Sequence, residues 1–132
     1  MTHRFQFRRY KLPFRLPVRT AHGVWVEREG VLVRLEDEAG RVTYGEAAPI
    51  PDFGTETVDE VEAACRELGQ IVDDARLDTV AANLGCLRNA LAAARHEATA
   101  ALHKYLGVAA LLPAGRGASE GAWSHDHRTA RR

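Results

Sequence analysis

The sequence of 132 residues has no surplus of either charge, because Lys plus Arg and Asp plus Glu number 18 each. This balance removes any electrostatic argument for binding nucleic acid or an anionic membrane. No apolar run reaches the roughly 18 residues that a transmembrane helix needs, so no membrane partner is expected. The basic stretch Met1–Tyr10 is not followed by an apolar segment, which argues against a signal peptide and favours a cytoplasmic location.

Sequence motifs of several catalytic classes are also missing. There is no glycine-rich phosphate loop, no Gly-x-Ser-x-Gly motif and no Cys/His nucleophile pair. The two cysteines, Cys65 and Cys86, are far apart and do not form a Cys-x-x-Cys motif. Each lies in an Ala/Leu-rich helical pattern, which is typical of buried, reduced thiols in a cytosolic protein. A disulfide and a reactive thiol are the alternatives.

The first half of the chain has the alternating pattern of half-buried strands. Phe5 and Phe7 alternate with polar residues, and two prolines then interrupt the pairing because proline has no N–H to donate. We therefore expect Leu12–Gly23 to be a strand end followed by a loop. Two further strands follow over Val24–Glu36 and Arg41–Ala47, joined by a glycine-containing turn. The prediction is a three-stranded antiparallel meander.

The second half of the chain is predicted to be helical, which makes the fold class α+β. Thr57 and Glu60 fit a capping box, in which a hydroxyl and a carboxylate satisfy open N–H groups reciprocally. An amphipathic stripe follows at Val58, Val61, Cys65, Leu68 and Val72, with Gly69 inside the helix. A second helix is expected over Leu84–Leu106, ended by Gly107, with a buried face of Leu87, Leu91, Ala94, Ala98, Leu102 and Tyr105.

The remaining residues divide into an apolar run and a tail. Val108–Leu112 is typical of a buried strand of a parallel sheet, and Pro113–Arg132 has no periodicity, so we expect it to be disordered. The tail offers only weak sites: His125–His127 for a metal ion, and Arg128, Arg131 and Arg132 for nucleic acid. His96 and His103 lie about 10 Å apart along a helix, too far to chelate one ion.

Four segments carry a resemblance to a known family. Leu12–Trp25 resembles the first capping loop of o-succinylbenzoate synthases, and Arg28–Asp37 resembles the strand paired with it. Tyr44–Thr57 is similar to the third strand, the second capping loop and the helix start of the same enzymes. Leu111–Gly115 resembles the first strand and loop of their barrel. The order of these motifs points to the enolase superfamily, and the version at Thr20–Trp25 points to the synthases.

The resemblance implies an enolase-like N-terminal capping domain over residues 1–107 and a remnant of the first barrel strand and loop over 108–118. Residues 119–132 no longer resemble the family. An out-of-frame reading of the gene would produce such an abrupt loss of resemblance. In the full-length family, Mg²⁺ held by three acidic residues stabilises an enediolate, lysines remove the proton beside the carboxylate, and loss of water gives o-succinylbenzoate for menaquinone synthesis. A carbanion beside a carboxylate forms only if a cation meets its charge as it develops.

No catalytic or metal-binding residue of the family can be placed in this chain. The two lysines, Lys11 and Lys104, both lie in the capping-domain pattern, and there is no Lys-x-Lys motif. Beyond Leu112 the acidic residues are Glu120 and Asp126, so three metal carboxylates on successive strands are excluded. We therefore expect a truncated or frame-shifted chain that carries no cofactor and has no dehydratase activity alone.

A capping domain without its barrel exposes the surface that the barrel would cover. The helix face with Ala92, Ala93 and Ala101, together with residues 108–112, would be sticky, so we expect self-association or low solubility. The small carboxylate substrate would bind only when a barrel domain is present.

The two capping loops supply the expected substrate-binding residues. The first loop contributes Arg19, Thr20, Ala21, His22, Gly23 and Trp25, and the second contributes Pro49, Ile50, Pro51 and Phe53. Simpler roles compete with substrate binding: a solvated cation for Arg19, a turn cap for His22 and core packing for Trp25. Phe53 could equally pack on the helix that follows it. Glu46 is expected to orient the second loop by hydrogen bonds rather than to act in catalysis.

Two other functions stay open. The same superfamily contains dipeptide epimerases and muconate-type cycloisomerases, and the residues around His22 and Trp25 argue against both. The alternative from a different class is a stand-alone interaction module that docks onto a separate barrel chain or another protein.

Overall fold

The computed structural model describes residues 1–97 of the chain. They form a four-stranded antiparallel sheet with three helices, and the strand order is β3-β2-β1-β4. The strands are β1 (Thr2–Thr20), β2 (Gly23–Asp37), β3 (Val42–Ala47) and β4 (Ile71–Asp73). The helices are α1 (Val58–Leu68), α2 (Asp74–Asp78) and α3 (Gly85–Glu97), and a single 3-10 turn spans Pro51–Phe53. The predicted α+β class and the β1-β2-β3 meander are confirmed.

The prediction of a strand end and a loop over Leu12–Gly23 is wrong in extent, because β1 continues to Thr20 and the turn is confined to Ala21 and His22. It pairs with β2 along almost its whole length, and the register is irregular only between Pro13 and Val18. Pro13 is the last paired residue before this irregularity and Pro17 lies within it, the kind of position where a strand tolerates proline. The prolines do interrupt the pairing, but the irregularity is local, and pairing resumes at Val18 opposite Trp25.

The turn between β2 and β3 matches the expectation. Gly40 has a φ of 79°, the left-handed conformation that glycine adopts without strain. The Asp37 carboxylate accepts hydrogen bonds from the backbone N–H of Arg41 at 2.9 Å and of Ala39 at 3.0 Å. These bonds, that from Arg41 first, hold the pKa of Asp37 below its ordinary value.

Helix α1 begins at the predicted capping box. Glu60 donates its backbone N–H to the Thr57 hydroxyl at 3.2 Å, and Thr57 donates its own N–H to the Glu60 carboxylate at 2.7 Å. The stripe on the sheet-facing side is buried as expected, at Val58, Val61, Cys65 and Leu68.

Two predictions for the region after α1 are wrong. The helix ends at Leu68, and Gly69, which was placed inside it, follows with a φ of 82°. Val72 belongs to β4, where it pairs with His3, so the sheet gains a fourth strand. Asp73 then caps the short helix α2, which was not predicted, by accepting the backbone N–H of Arg76 at 2.7 Å.

Helix α3 packs closely on β3. Leu87, Leu91 and Ala94 are buried as predicted. The approach is so close that a Cβ on Gly45 would overlap the Ala90 carbonyl oxygen, so only glycine fits there. The predicted continuation of this helix to Leu106, the capping-domain boundary at 107, the barrel remnant at 108–118 and the tail at 119–132 lie outside the described residues.

The hydrophobic core lies between the sheet and the helices. Its sheet side comes from alternate positions of the strands and its helix side from one stripe of each helix. The fully buried large side chains are Phe5, Leu35, Leu87, Leu91, Val31, Val33, Val61, Val72 and Cys65. Both cysteines are free; Cys65 is buried as predicted, whereas Cys86 is only partly buried.

Candidate functional site

The first predicted loop is a tight turn at the tip of the β1-β2 ribbon. The Thr20 hydroxyl donates to the Gly23 carbonyl oxygen at 2.9 Å and accepts the backbone N–H of His22 at 3.1 Å. Gly23 has a φ of 125°, which other residues rarely adopt. Thr20 and Gly23 therefore shape the turn, and the imidazole of His22 is left exposed for contacts elsewhere.

The second predicted loop is held by its own backbone. Phe53 donates its N–H to the Ile50 carbonyl at 2.9 Å, and Gly54 donates to Pro51 at 2.8 Å. The Thr55 hydroxyl accepts the Ile50 N–H at 2.7 Å and closes the loop. This compact turn projects the Phe53 ring outward, with 57% of its surface exposed.

The aromatic side chains of the two loops meet. The rings of His22 and Phe53 are 4.9 Å apart at 88°, and those of Trp25 and Phe53 are 5.9 Å apart at 71°. Both are edge-to-face arrangements, which aromatic pairs favour over face-to-face stacking. Three residues predicted from different parts of the sequence thus form one cluster, and Phe53 lies at its centre.

A groove of about 330 Å³ lies beside this cluster. Trp25 and the second-loop residues Pro49, Ile50 and Pro51 line one part of it, and charged residues of β1, β2 and α1 line the rest. Arg19, the remaining predicted residue, is exposed and lies opposite Val24 across the ribbon. Its side chain has no hydrogen bond or ion pair within residues 1–97, in keeping with a solvated cation.

The charged part of the groove was not predicted from the sequence. Arg9 contacts Asp59 at 2.6 Å and Glu62 at 3.0 Å on α1, and Lys11 contacts Glu27 at 2.7 Å on β2. Hydrogen bonds to Asp59 and then Glu62 raise the pKa of Arg9, and the hydrogen bond to Glu27 raises the pKa of Lys11. Strand alternation could have indicated these contacts, because it places Arg9 and Lys11 on the same face of β1 as Phe5 and Phe7.

The ends of the second loop are anchored by residues with no predicted role in the site. The Arg28 guanidinium donates to the Ala48 carbonyl oxygen at 2.6 Å, just before the loop. Glu56, only 7% exposed, accepts the backbone N–H of Leu87 at 3.0 Å, just after it. Glu46, which was expected to orient the loop, accepts a hydrogen bond from the Tyr10 hydroxyl on β1 instead.

The described residues do not fit a magnesium site. Within residues 1–97, no three His, Cys, Asp or Glu side chains converge closely enough to hold a metal ion. His125–His127 and the tail arginines, for which the sequence offered only weak sites, lie outside the described range, as do His103, Lys104 and Glu120. No helix in the described part of the chain is long and apolar enough to cross a membrane.

Comparison with known proteins matches residues 2–98 to the family described as MenC, N-terminal domain. The o-succinylbenzoate synthase of Thermosynechococcus vestitus is 49% identical over 65 residues, which cover 49% of this chain and 20% of that enzyme. The chain therefore spans about a fifth of the length of this relative.

Solved structures share the fold. The o-succinylbenzoate synthase of Thermosynechococcus elongatus BP-1, solved with Mg in its active site, is 42% identical with a TM-score of 0.58. The match covers 61% of this chain and 25% of that one. A dipeptide epimerase from Methylococcus capsulatus is 25% identical with a TM-score of 0.63, over 75% of this chain and 31% of that one.

The family match extends over the whole described sheet, the three helices and both predicted loops. The solved synthase and the epimerase share this arrangement over 25% and 31% of their own chains. The chain therefore belongs to the MenC N-terminal domain family and has the capping-domain fold of the enolase superfamily.

Proposed function

We propose that this chain provides the substrate-capping domain of an o-succinylbenzoate synthase-like enzyme, which catalyses a Mg²⁺-dependent dehydration in menaquinone biosynthesis. One observation carries the proposal: Phe53 of the second loop contacts both His22 and Trp25 of the first. Loops that are far apart in sequence are thereby joined into a single surface at the end of the domain. The sequence identity to o-succinylbenzoate synthases, 49% and 42% over the matched residues, supports this choice of reaction.

The side chains of the aromatic cluster suit the task of covering a substrate. Trp25 and Phe53 offer apolar ring surface, and His22 adds polar nitrogens at the edge. Such a wall excludes water, which strengthens electrostatic interactions at the reacting centre beneath it. The backbone hydrogen bonds within each loop fix the wall before substrate arrives, so less freedom is lost on binding.

The chemistry itself is assigned to a barrel domain. In the enzyme family, the bound Mg²⁺ would stabilise negative charge developing beside the substrate carboxylate. The described residues hold no group of ligands for that ion. Lys11, the lysine of this region, is already paired with Glu27 and Glu29. We expect the purified 132-residue chain to show no turnover unless a barrel is supplied.

A cytoplasmic location is part of the same proposal. Both cysteines are unpaired, and Cys65 is buried in the core, where burial raises its pKa to about 12. Free thiols of this kind are typical of a reducing compartment.

A domain chimera tests the function. Residues 1–97 would replace the corresponding N-terminal domain of the Thermosynechococcus vestitus synthase, and formation of o-succinylbenzoate would be followed. We expect activity, and we expect Phe53→Ala to lower kcat/KM by up to about 30-fold, because two aromatic contacts of about 1 kcal/mol each are lost. The matched control is Ile71→Ala, which removes a side chain that is 66% exposed on β4 and should leave kcat/KM unchanged.

The same domain replacement in a second enzyme separates the alternatives. A folded chimera that forms no o-succinylbenzoate would contradict the proposal. Epimerisation of dipeptides after the same residues replace the N-terminal domain of the Methylococcus capsulatus epimerase would instead support the epimerase alternative. Chimeras with neither activity would leave the interaction module as the better interpretation.

A further inference from the structure

The part of the β1-β2 ribbon that carries the first loop projects beyond the rest of the sheet. Strand β3 pairs with β2 only over Val31–Glu36, so residues 11–30 form a two-stranded extension, here called the arm. Trp25 lies five residues from Gly30 at the base of the arm, or about 17 Å at the rise of a strand. A tilt of about 10° at the base would therefore move Trp25 by about 3 Å, enough to break its contact with Phe53.

On the outer face of the sheet, Tyr10 spans the base of the arm. Its ring crosses β2 directly over Gly30, and its hydroxyl donates a hydrogen bond to Glu46 on β3. A Cβ built on Gly30 would lie 2.5 Å from the Tyr10 hydroxyl oxygen and 2.7 Å from the ring carbon that bears it. The crossing is therefore possible only because position 30 has no side chain, although its backbone is compatible with any residue.

A second contact joins the arm to the second loop on the same side. Arg28, two residues before Gly30, donates to the Ala48 carbonyl oxygen at 2.6 Å. Ala48 directly follows β3, so this bond sets the direction in which the chain leaves for the second loop. The arm and the second loop are thus both attached at the same end of β3.

The helix-facing side of the arm base is also held. Arg9 lies opposite Val31 and reaches Asp59 and Glu62 on α1, with Glu29 at 3.6 Å. Contacts on both faces at the same level resist bending of the ribbon in either direction.

We propose that Tyr10, Gly30 and Glu46 form a clamp whose role is to position Trp25 and His22 against Phe53. These are positioning residues, since they lie at the base of the arm and the loops lie at its tip. Their relevance to substrate capping rests on the proposed function, but the clamp itself is a property of the free chain. It can therefore be tested without any activity assay.

Trp25 provides the readout, because Trp123 is the other tryptophan of the chain and can be replaced by Trp123→Phe. In that background, acrylamide quenching of Trp25 would be measured in the full chain well below the unfolding temperature. We expect Tyr10→Phe and Glu46→Ala to raise the quenching constant by about twofold, because the arm opens locally while the core stays folded. Glu46→Gln keeps an acceptor oxygen and should retain the parent value.

The control is Tyr44→Phe, which removes a tyrosine hydroxyl from the same sheet face but away from the arm base, and it should not change the quenching. Gly30→Ala should give the same opening as Tyr10→Phe if it folds. Unchanged quenching in both Tyr10→Phe and Glu46→Ala would overturn the clamp, even if both lowered the unfolding temperature. So would a Glu46→Gln variant that behaves like Glu46→Ala.

Discussion

Tyr10 is a half-buried tyrosine whose ionisation should affect the stability of the fold. Burial first, and then the hydrogen bond to the Glu46 carboxylate, raise the pKa of Tyr10 to about 12. Arg28 acts in the opposite direction but does not cancel these effects. An unperturbed tyrosine has a pKa near 10, so the folded state holds this proton more tightly than the unfolded state does.

Stability should therefore fall in alkaline solution. The contribution of Tyr10 is fully present below pH ~10 and is lost as the pH rises toward about 12. Below pH ~10, we expect the unfolding free energy of the parent to be about 1 kcal/mol higher than that of Tyr10→Phe. This value is reduced for the screening that solvent gives a half-buried group. Urea unfolding at a series of pH values measures the difference, which should vanish at the upper end.

The comparison with Tyr10→Phe isolates this residue from others that act in the same direction. The pKa values of Cys65 and Lys11 are also raised, the first by burial and the second by its hydrogen bond to Glu27. Their contributions are common to both proteins and cancel. A difference between parent and variant that does not change with pH would contradict the assignment.

The residues of the candidate site differ in how far the sequence could predict them. The resemblance predicts His22, Trp25 and Phe53 as site residues. Their mutual contacts could not be predicted, because they depend on the length of the ribbon and the fold of the second loop. Arg9 was missed, because a cation on a strand is usually solvated and its partners Asp59 and Glu62 lie 50 or more positions away. Glu46 was expected to bind the nearby loop, whereas its partner Tyr10 is on β1.

Among the secondary-structure elements, α3 depends on a residue outside it. The first N–H groups of a helix have no partner within the helix, and a buried helix start must find one elsewhere. The Glu56 carboxylate accepts the N–H of Leu87 in the first turn, and its negative charge is also favoured by the helix dipole. Because Glu56 directly follows the second loop, this bond connects the loop to the helix that covers β3.

Removing this cap should destabilise the fold. We expect Glu56→Ala to lower the unfolding free energy by about 1–3 kcal/mol, since it leaves a buried N–H without a partner. Glu56→Gln keeps an acceptor oxygen and should cost less. Chemical denaturation would measure both, with Glu67→Ala on the exposed side of α1 as a control that should stay within about 0.5 kcal/mol of the parent. Equal stabilities for Glu56→Ala and Glu67→Ala would show that the cap is not needed.

Elements with a strong local pattern were predictable, and those made by distant pairing were not. The capping box and the stripe from Val58 to Leu68 are properties of adjacent residues, and α1 begins and packs as expected. Val72 continues the same 3,4 spacing past Gly69, so local periodicity assigned it to the helix. Its actual partner is His3, and no pattern within a window of the sequence shows that pairing.

At the scale of the whole molecule, exposed apolar side chains concentrate on the arm. Within the described residues, the large exposed hydrophobic residues of the arm are Leu12, Leu16, Val18, Val24 and Val26. Exposed apolar side chains gathered on one element are typical of an interface. Burying them stabilises an association by about 25 cal/mol for each Å² of apolar area removed from water. The sequence places the sticky surface on a helix face with Ala92, Ala93 and Ala101 and on residues 108–112. Of these, Ala93 is exposed but small and Ala92 is partly buried, and the rest lie outside the described residues.

We therefore expect the chain to self-associate through the arm when no partner covers it. Sedimentation equilibrium should give a mean mass above the 14.5 kDa of the monomer, falling on dilution. The double substitution Leu16→Ser with Val26→Ser, at positions 78% and 59% exposed, should shift the mass toward the monomer. The matched control is Leu32→Ser with Ile71→Ser, at 43% and 66% exposed, because both lie outside the arm and should leave association unchanged. A parent chain that is monomeric at every concentration would show that the arm does not mediate self-association. Equal effects of the two double variants would place the contact outside the arm.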